Sequence, residues 1–264
     1  MGKALELLTG FVTAPSTTLT ALTMGSGNSL TIRNAPSGMT RLLSAWTDSQ
    51  GIGQLQIKSP RMHDNVQGIT IGTQISEAQP LTPWGMPQQV YPQDTLSALL
   101  SGSATAGDIE TACMLIHYDD LPGTDARLAT WDEVKDKIES IMISTNTLSL
   151  GTAGGYSGSQ AINTTVDNWK ANRDYVLLGY QTTVECACIR WTGSDTGNLG
   201  VGGPGHENFK SLTGDWFRRL SETTGIALMP IFNAANKNGI LIDGAQDENG
   251  ADPLVTSIFG LLAQ

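Results

Sequence analysis

Arg41-Leu42-Leu43-Ser44-Ala45-Trp46 and, later in the chain, Tyr175-Val176-Leu177-Leu178-Gly179-Tyr180 read as one strand written twice, a Leu-Leu pair running into an aromatic residue. The residues after each copy repeat as well. Leu55-Gln56-Ile57-Lys58-Ser59-Pro60 and Leu199-Gly200-Val201-Gly202-Gly203-Pro204 both carry an apolar segment into proline, and His63-Asp64-Asn65 and His206-Glu207-Asn208 come next. Each half then closes on a strand, a polar Gly-containing turn and a last apolar strand: 95–100, 102–108 and 110–118 in the first, 240–242, 243–252 and 254–261 in the second. Four features recurring in one order predict an internally duplicated chain.

Between these landmarks the sequence is cut into strand-length pieces by Gly, Pro, Asn and Asp. Strands are predicted at 18–24, 29–33, 40–46, 53–58, 95–100 and 110–118, and again at 161–166, 175–181, 183–191, 226–232, 239–242 and 253–261. Helices are few. Leu5, Leu8 and Phe11, widened by Leu7 and Val12, have helical spacing and predict a short amphipathic helix near the start. Thr130 and Glu133 form a capping-box pattern, and Trp131, Val134, Ile138, Ile141 and Met142 continue one apolar stripe, which predicts a helix joining the halves. Residues 215–222 have the third helical pattern. The expected organisation is a helical arm at 1–16, a β-sandwich at 17–125, a linking helix at 126–145 and a second β-sandwich at 146–264.

Composition fits many short strands. The 264 residues include 30 Gly and 11 Pro, are 39% hydrophobic and only 15% charged, which argues for a folded, turn-rich chain. With 25 acidic against 15 basic residues the formal net charge is −10, which repels phosphate backbones and argues against direct nucleic-acid binding. No apolar run reaches membrane-span length and the start lacks a signal-peptide core, so a product of the cytoplasm is expected. Three cysteines, Cys113, Cys186 and Cys188, do not make a secreted disulfide framework. Cys186 and Cys188 stand two apart in a strand, on one face, as small buried hydrophobes.

Chemistry-bearing patterns are sparse. The two His-acid-Asn triplets combine imidazole with carboxylate, yet each comes after a proline in a turn, where Asp and Asn ordinarily bond their own backbone. His63, His117 and His206 are the only histidines, too few for the His-x-His metal set of a two-cupin enzyme. Asp108 with Glu110, and Asp243 with Asp247 and Glu248, are acid pairs of the kind glycoside hydrolysis needs, but all fall in polar turns. Asp243, Asp247, Asn249 and Asp252 offer loop oxygens to calcium without the EF-hand spacing. The glycine clusters at 151–158 and 200–205 lack the Gly-Lys-Ser/Thr of a phosphate loop and read as flexible connectors. No catalytic, cofactor-binding or metal-binding residue is assigned, and no cofactor is expected.

Two β-rich halves, each with strands enough for an eight-stranded sandwich, joined by a helix and preceded by a helical arm, fit two jelly rolls in series. In this the chain resembles the double jelly-roll major capsid proteins of tailless icosahedral viruses, a family that includes membrane-containing phages. The resemblance covers nearly the whole chain and rests on architecture and the repeat. It implies a structural protein of the virion that is not an enzyme and that assembles as homotrimers into pseudo-hexagonal tiles. It also implies minor capsid proteins as partners and an internal membrane within reach of the N-terminal arm. Trp84, Trp131, Trp169 and Trp216 are the candidates for subunit interfaces. A glycan-binding or glycan-cleaving tandem sandwich, and another viral or filament subunit, are the competing expectations, since one sandwich fold hosts many functions.

Overall fold

Gly2–Thr13 is a twelve-residue strand, β1, and not the expected helical arm. In the computed structural model, which describes residues 2–13, 17–24, 30–48, 51, 53–62, 64–73, 87–103, 105–150, 155–162, 169–184, 186–205, 213–246 and 252–264, β1 pairs antiparallel with Ile109–Leu121 over almost its full length. Its residues Ala4, Leu5, Leu7 and Val12 are all buried. A strand buried on both faces shows no alternation of apolar and polar positions, so its apolar residues fall by chance at helical spacing.

The chain is all-β, with antiparallel sheets throughout. After β1 the first half contains β2 (Thr20–Ala21), β3 (Thr23–Met24), β4 (Leu30–Thr31), β5 (Thr40–Asp48), β6 (Gly53–Lys58), β7 (Ile69–Thr73), β8 (Gln88–Val90), β9 (Thr95–Ser101) and β10 (Ile109–Leu121). Its sheets run β3-β1-β10-β5-β8 and β2-β9-β6-β7, with β4 also on β9. The second half contains β11 (Leu128–Ala129), α1 (Trp131–Val134), β12 (Ile138–Thr147), β13 (Gln160–Ala161), β14 (Asp174–Thr182), β15 (Cys186–Thr192), β16 (Val201–Gly205), α2 (Trp216–Thr224), β17 (Met229–Asn233), β18 (Leu241–Ala245) and β19 (Leu254–Leu262). Its sheets run β11-β17-β14-β19-β12 and β13-β18-β15-β16.

Leaving out the two-residue strands β3, β4 and β11 and counting the eight others in each half, with β1 and β12 as first and β10 and β19 as last, one sheet has the order 1-8-3-6 and the other 2-7-4-5 in both halves. The Leu-Leu-aromatic repeat falls on equivalent strands, β5 and β14, and the closing pairs β9–β10 and β18–β19 are equivalent too. The proline-ended segments are not: 55–60 lies at position four, on β6, and 199–204 at position five, on β16. Residues 200–205, expected to be a connector, contain that strand. All of β16 is buried. A Cβ on Gly203 would run into the Tyr180 hydroxyl and, at 2.5 Å, Trp216 Nε1, so glycine is there to let backbone approach large rings.

The linking helix is also corrected. The capping box forms as expected, with the Thr130 side chain accepting from the Glu133 amide and the Glu133 carboxylate accepting from the Thr130 amide. The helix nevertheless lasts only from Trp131 to Val134, passes through a 3-10 turn at Lys135–Lys137 and gives way to β12, which pairs with β19. β-Branched Ile138, Ile141 and Ile143 favour the strand, and a full antiparallel ladder outweighs a helical stripe. The third helical expectation is met by α2, which ends at Gly225 in the left-handed region (φ 68°) and buries Trp216, Phe217 and Leu220. Strands β7, β8 and β11 have no counterpart among the predicted strands.

Burial arranges the sheets in layers. Ala112, Met114, Ile116 and Tyr118 of β10 face a core shared with Leu55, Ile57, Leu96 and Leu100 of the first half. Cys113 and Leu115, on the opposite face, join Leu5, Leu7, Leu43 and Trp46 in a core that continues into the second half through Ala187, Cys188, Val201 and Trp216. The β1-β10-β5 sheet is therefore covered on both sides.

Candidate functional site

Three features could carry function: the seam between the halves, a cleft at its rim, and an open sheet edge. The seam is built on β5, β10, β15 and β16. Trp46 Nε1 donates to the Ala187 carbonyl at 2.9 Å, and the Cys113 thiol donates to the same oxygen at 3.7 Å. The Leu7 amide donates to the Gly200 carbonyl at 2.8 Å, tying β1 to the approach of β16. Trp46 meets Trp216 edge to face, with centroids 6.0 Å apart and ring planes at 81°, and Trp216 Nε1 donates to the Gly202 carbonyl at 3.2 Å. Both indoles and the thiol are partnered, which suits a rigid joint.

The cleft, of about 400 Å³, takes Glu6 and Arg33 from the first half and Tyr156, Arg190 and Asp243 from the second. Arg33 forks onto Glu6, with Nη2–Oε1 at 2.6 Å and Nε–Oε2 at 2.9 Å, and Tyr118 donates its hydroxyl to the same carboxylate at 3.1 Å. Burial, and then the Glu6 charge, push the Tyr118 phenol well above its usual range. Arg190 forks onto Asp243 at 2.6 and 2.9 Å, Ser159 donates to Asp243 at 3.0 Å, and the guanidinium lies 3.3 Å from the centroid of the Tyr156 ring. Each cation is committed to a carboxylate, so the pairs clamp the wall of the cleft.

The third feature is the edge at β12, which has β19 on one side and ends its sheet. Ile141 and Ile143 on this edge are 55% and 58% exposed, and nearby Leu254 is 38% exposed. Long, apolar, open edges are what folded proteins ordinarily blunt with charge, proline or a cover.

Most residues singled out from sequence have structural roles. His63, and the triplet His206-Glu207-Asn208, lie outside the described residues, but Asp64 accepts from the Val66 and Gln67 amides at 3.0 and 2.8 Å, the turn role expected of it. Asp108 and Glu110 both serve the turn at Ser103. Asp247 to Gly250 lie outside the described residues; Asp243 is committed to Arg190, and Asp252 accepts from the Leu150 amide at 3.1 Å. Among the described residues no group of three or more His, Cys, Asp or Glu could hold a metal ion, and no helix is long and apolar enough to cross a membrane. Trp169 and Trp216 are core residues, Trp131 is half-buried against the core, and Trp84 lies outside the described residues. All three cysteines are buried.

Sequence reasoning passes over His117. It is fully buried on β10, with Nδ1 3.4 Å from Arg41 Nη1 and 3.5 Å from Asp119 Oδ1. Burial holds its pKa down to about 4; Asp119 pulls it up, and Arg41 and Lys3 push it further down. The unfolded chain binds a proton near pH 6.5, whereas the folded chain does not until about 4. Stability is therefore full above pH 6.5 and falls as the pH drops through that window, by roughly 3 kcal/mol at most. Urea unfolding between pH 7 and 5 is expected to show this slope, and His117→Leu to flatten it. An unchanged slope in the variant would assign the effect to other groups.

Compared with known proteins, the chain matches no family model, no curated protein and no solved structure.

Proposed function

We propose that the chain is a structural subunit of an icosahedral viral shell, made of two tandem jelly rolls and working by association rather than catalysis. The observation that carries this reading is the strand order 1-8-3-6 over 2-7-4-5, present in both halves. It is the order of a jelly roll, and its repetition is what a pseudo-hexagonal tile of three chains requires. The seam supports it as well, because Trp46, Leu7 and Cys113 bind the halves into one block, and a tile must not flex between its lobes. The open edge with Ile141 and Ile143 supplies apolar surface for a neighbouring subunit. The net charge of −10 fits a coat that does not touch the genome itself.

The partners under this reading are two further copies in a trimer, then the shell lattice and minor capsid proteins, and the location is the virion. A membrane contact through an N-terminal helical arm is not retained, because Gly2–Thr13 is an inner strand of its sheet.

The test is assembly. Light scattering followed by electron microscopy is expected to find trimers, or particles tiled in pseudo-hexagons. The double variant Ile141→Lys/Ile143→Lys is expected to raise the concentration needed for association at least about tenfold while leaving the melting temperature of the isolated chain unchanged. A stable monomer that binds oligosaccharide would replace the shell reading with a glycan-binding one.

A further inference from the structure

The seam contains a pair of thiols contributed by different halves. Cys113 lies on β10 and Cys188 on β15, and both are fully buried. Stacked sheets ordinarily stand about 10 Å apart, but here residues of β10 and β15 approach within 8 Å between Cα atoms. The side chains at the crossing are small, Cys113 from one side and Ala187 and Cys188 from the other. The Cys113 thiol reaches the Ala187 carbonyl, the peptide oxygen immediately before Cys188, at 3.7 Å, and both cysteines belong to the one core that joins the halves. Cys186, two residues earlier, turns to the Gly205 carbonyl at 3.4 Å. Cys113 and Cys188 thus come to one crossing of the seam from opposite halves.

We propose that Cys113 and Cys188 are a redox staple, a thiol pair that oxidises to a disulfide and locks the first half to the second across the seam. The inference goes beyond the shell reading and does not depend on it. Burial pushes the Cys113 thiol pKa up. Burial also opposes ionisation of Cys188, but in the closed seam its polar surroundings and the nearby Arg190 charge hold its pKa below the ordinary thiol value.

The Cys188 thiolate attacks one sulfur of a small disulfide such as oxidised glutathione, forming a mixed disulfide and releasing one glutathione thiolate. The Cys113 thiolate then attacks the Cys188 sulfur, forming the Cys113–Cys188 bond and releasing the second glutathione. Two protein thiols are oxidised, one glutathione disulfide is reduced to two thiols, and the two protons from the cysteines end on the glutathione sulfurs. Both sulfurs are sealed in the closed seam, so the exchange runs while the seam is open, during folding or local opening. A chain folded in a reducing compartment remains unlinked and gains the tie where disulfides persist.

The full chain, refolded in a mixture of oxidised and reduced glutathione and then alkylated, is expected to contain one disulfide, placed by tandem mass spectrometry between Cys113 and Cys188. Its melting temperature is expected to exceed that of the reduced protein by about 5–10 °C, and to return on addition of a reductant. Cys186→Ala is expected to keep the shift and Cys188→Ala to lose it. Should either variant fail to fold, the peptide map of the unaltered chain decides by itself. Absence of any link, a link involving Cys186, or a link that leaves the melting temperature where it was would overturn the proposal.

Discussion

Trp46→Ala is expected to lower the unfolding free energy by about 4 kcal/mol, the middle of the range for a buried aromatic truncated to a methyl group. The ring is 1% exposed and lies in the core shared by both halves. Three losses combine. The ring leaves a cavity between two sheets that cannot close on it, the edge-to-face contact with Trp216 disappears, and the Ala187 carbonyl loses its 2.9 Å indole donor. The Cys113 thiol still reaches that oxygen, at 3.7 Å, which is a weak replacement. The first half keeps a second core, from Leu42 and Leu55 to Met114 and Tyr118, that does not use this ring. The variant is therefore expected to unfold with a smaller urea m-value or in two steps, as the halves part before each melts. A loss below about 1 kcal/mol with a single unchanged transition would mean that the ring does not hold the seam.

Much of this architecture is legible because strands in turn-rich sequence announce themselves. The bounds expected for 53–58 coincide with β6, and β5, β14, β9, β10, β18 and β19 lie within a few residues of their expected positions. The failures share one cause. β1 and β12 read as helices because each is apolar without clean alternation, β1 through burial on both faces and β12 because Ile141 and Ile143 face outward at an edge. A single window of sequence does not reveal how many layers cover a strand. β16 is missed for the opposite reason: Val201-Gly202-Gly203-Pro204-Gly205 has almost no side chain to read, and its strand identity comes from the rings of Tyr180 and Trp216 that need its bare backbone.

The seam is least legible of all. Trp46 is recognisable as the aromatic end of a repeated strand, but its partner carbonyl lies 141 positions away, and nothing local encodes such a contact. Cys188 likewise reads as a small buried hydrophobe, which it is, and nothing near it in the sequence points to Cys113 across the seam. Contacts between halves are products of how two sheets stack, and spacing along the chain carries no trace of them.

Arg190→Met is expected to be the second large loss, about 3–5 kcal/mol, and its size comes from what it strands. Asp243 is 3% exposed and takes two hydrogen bonds from the guanidinium, at 2.6 and 2.9 Å, with only Ser159 as a further side-chain donor among the described residues. Without Arg190 a buried carboxylate keeps one hydroxyl and no counter-charge. The reverse change, Asp243→Asn, is expected to cost less, about 1–2 kcal/mol, because the Arg190 side chain is 24% exposed and its charge reaches water and the Tyr156 ring. The double variant Arg190→Met/Asp243→Leu removes both charges together and is expected to recover most of the loss, since a buried pair is worth little against apolar packing of similar volume. Urea unfolding of the three variants measures this asymmetry. Equal losses in both single variants, with no recovery in the double, would mean that the pair stabilises by shape instead of charge.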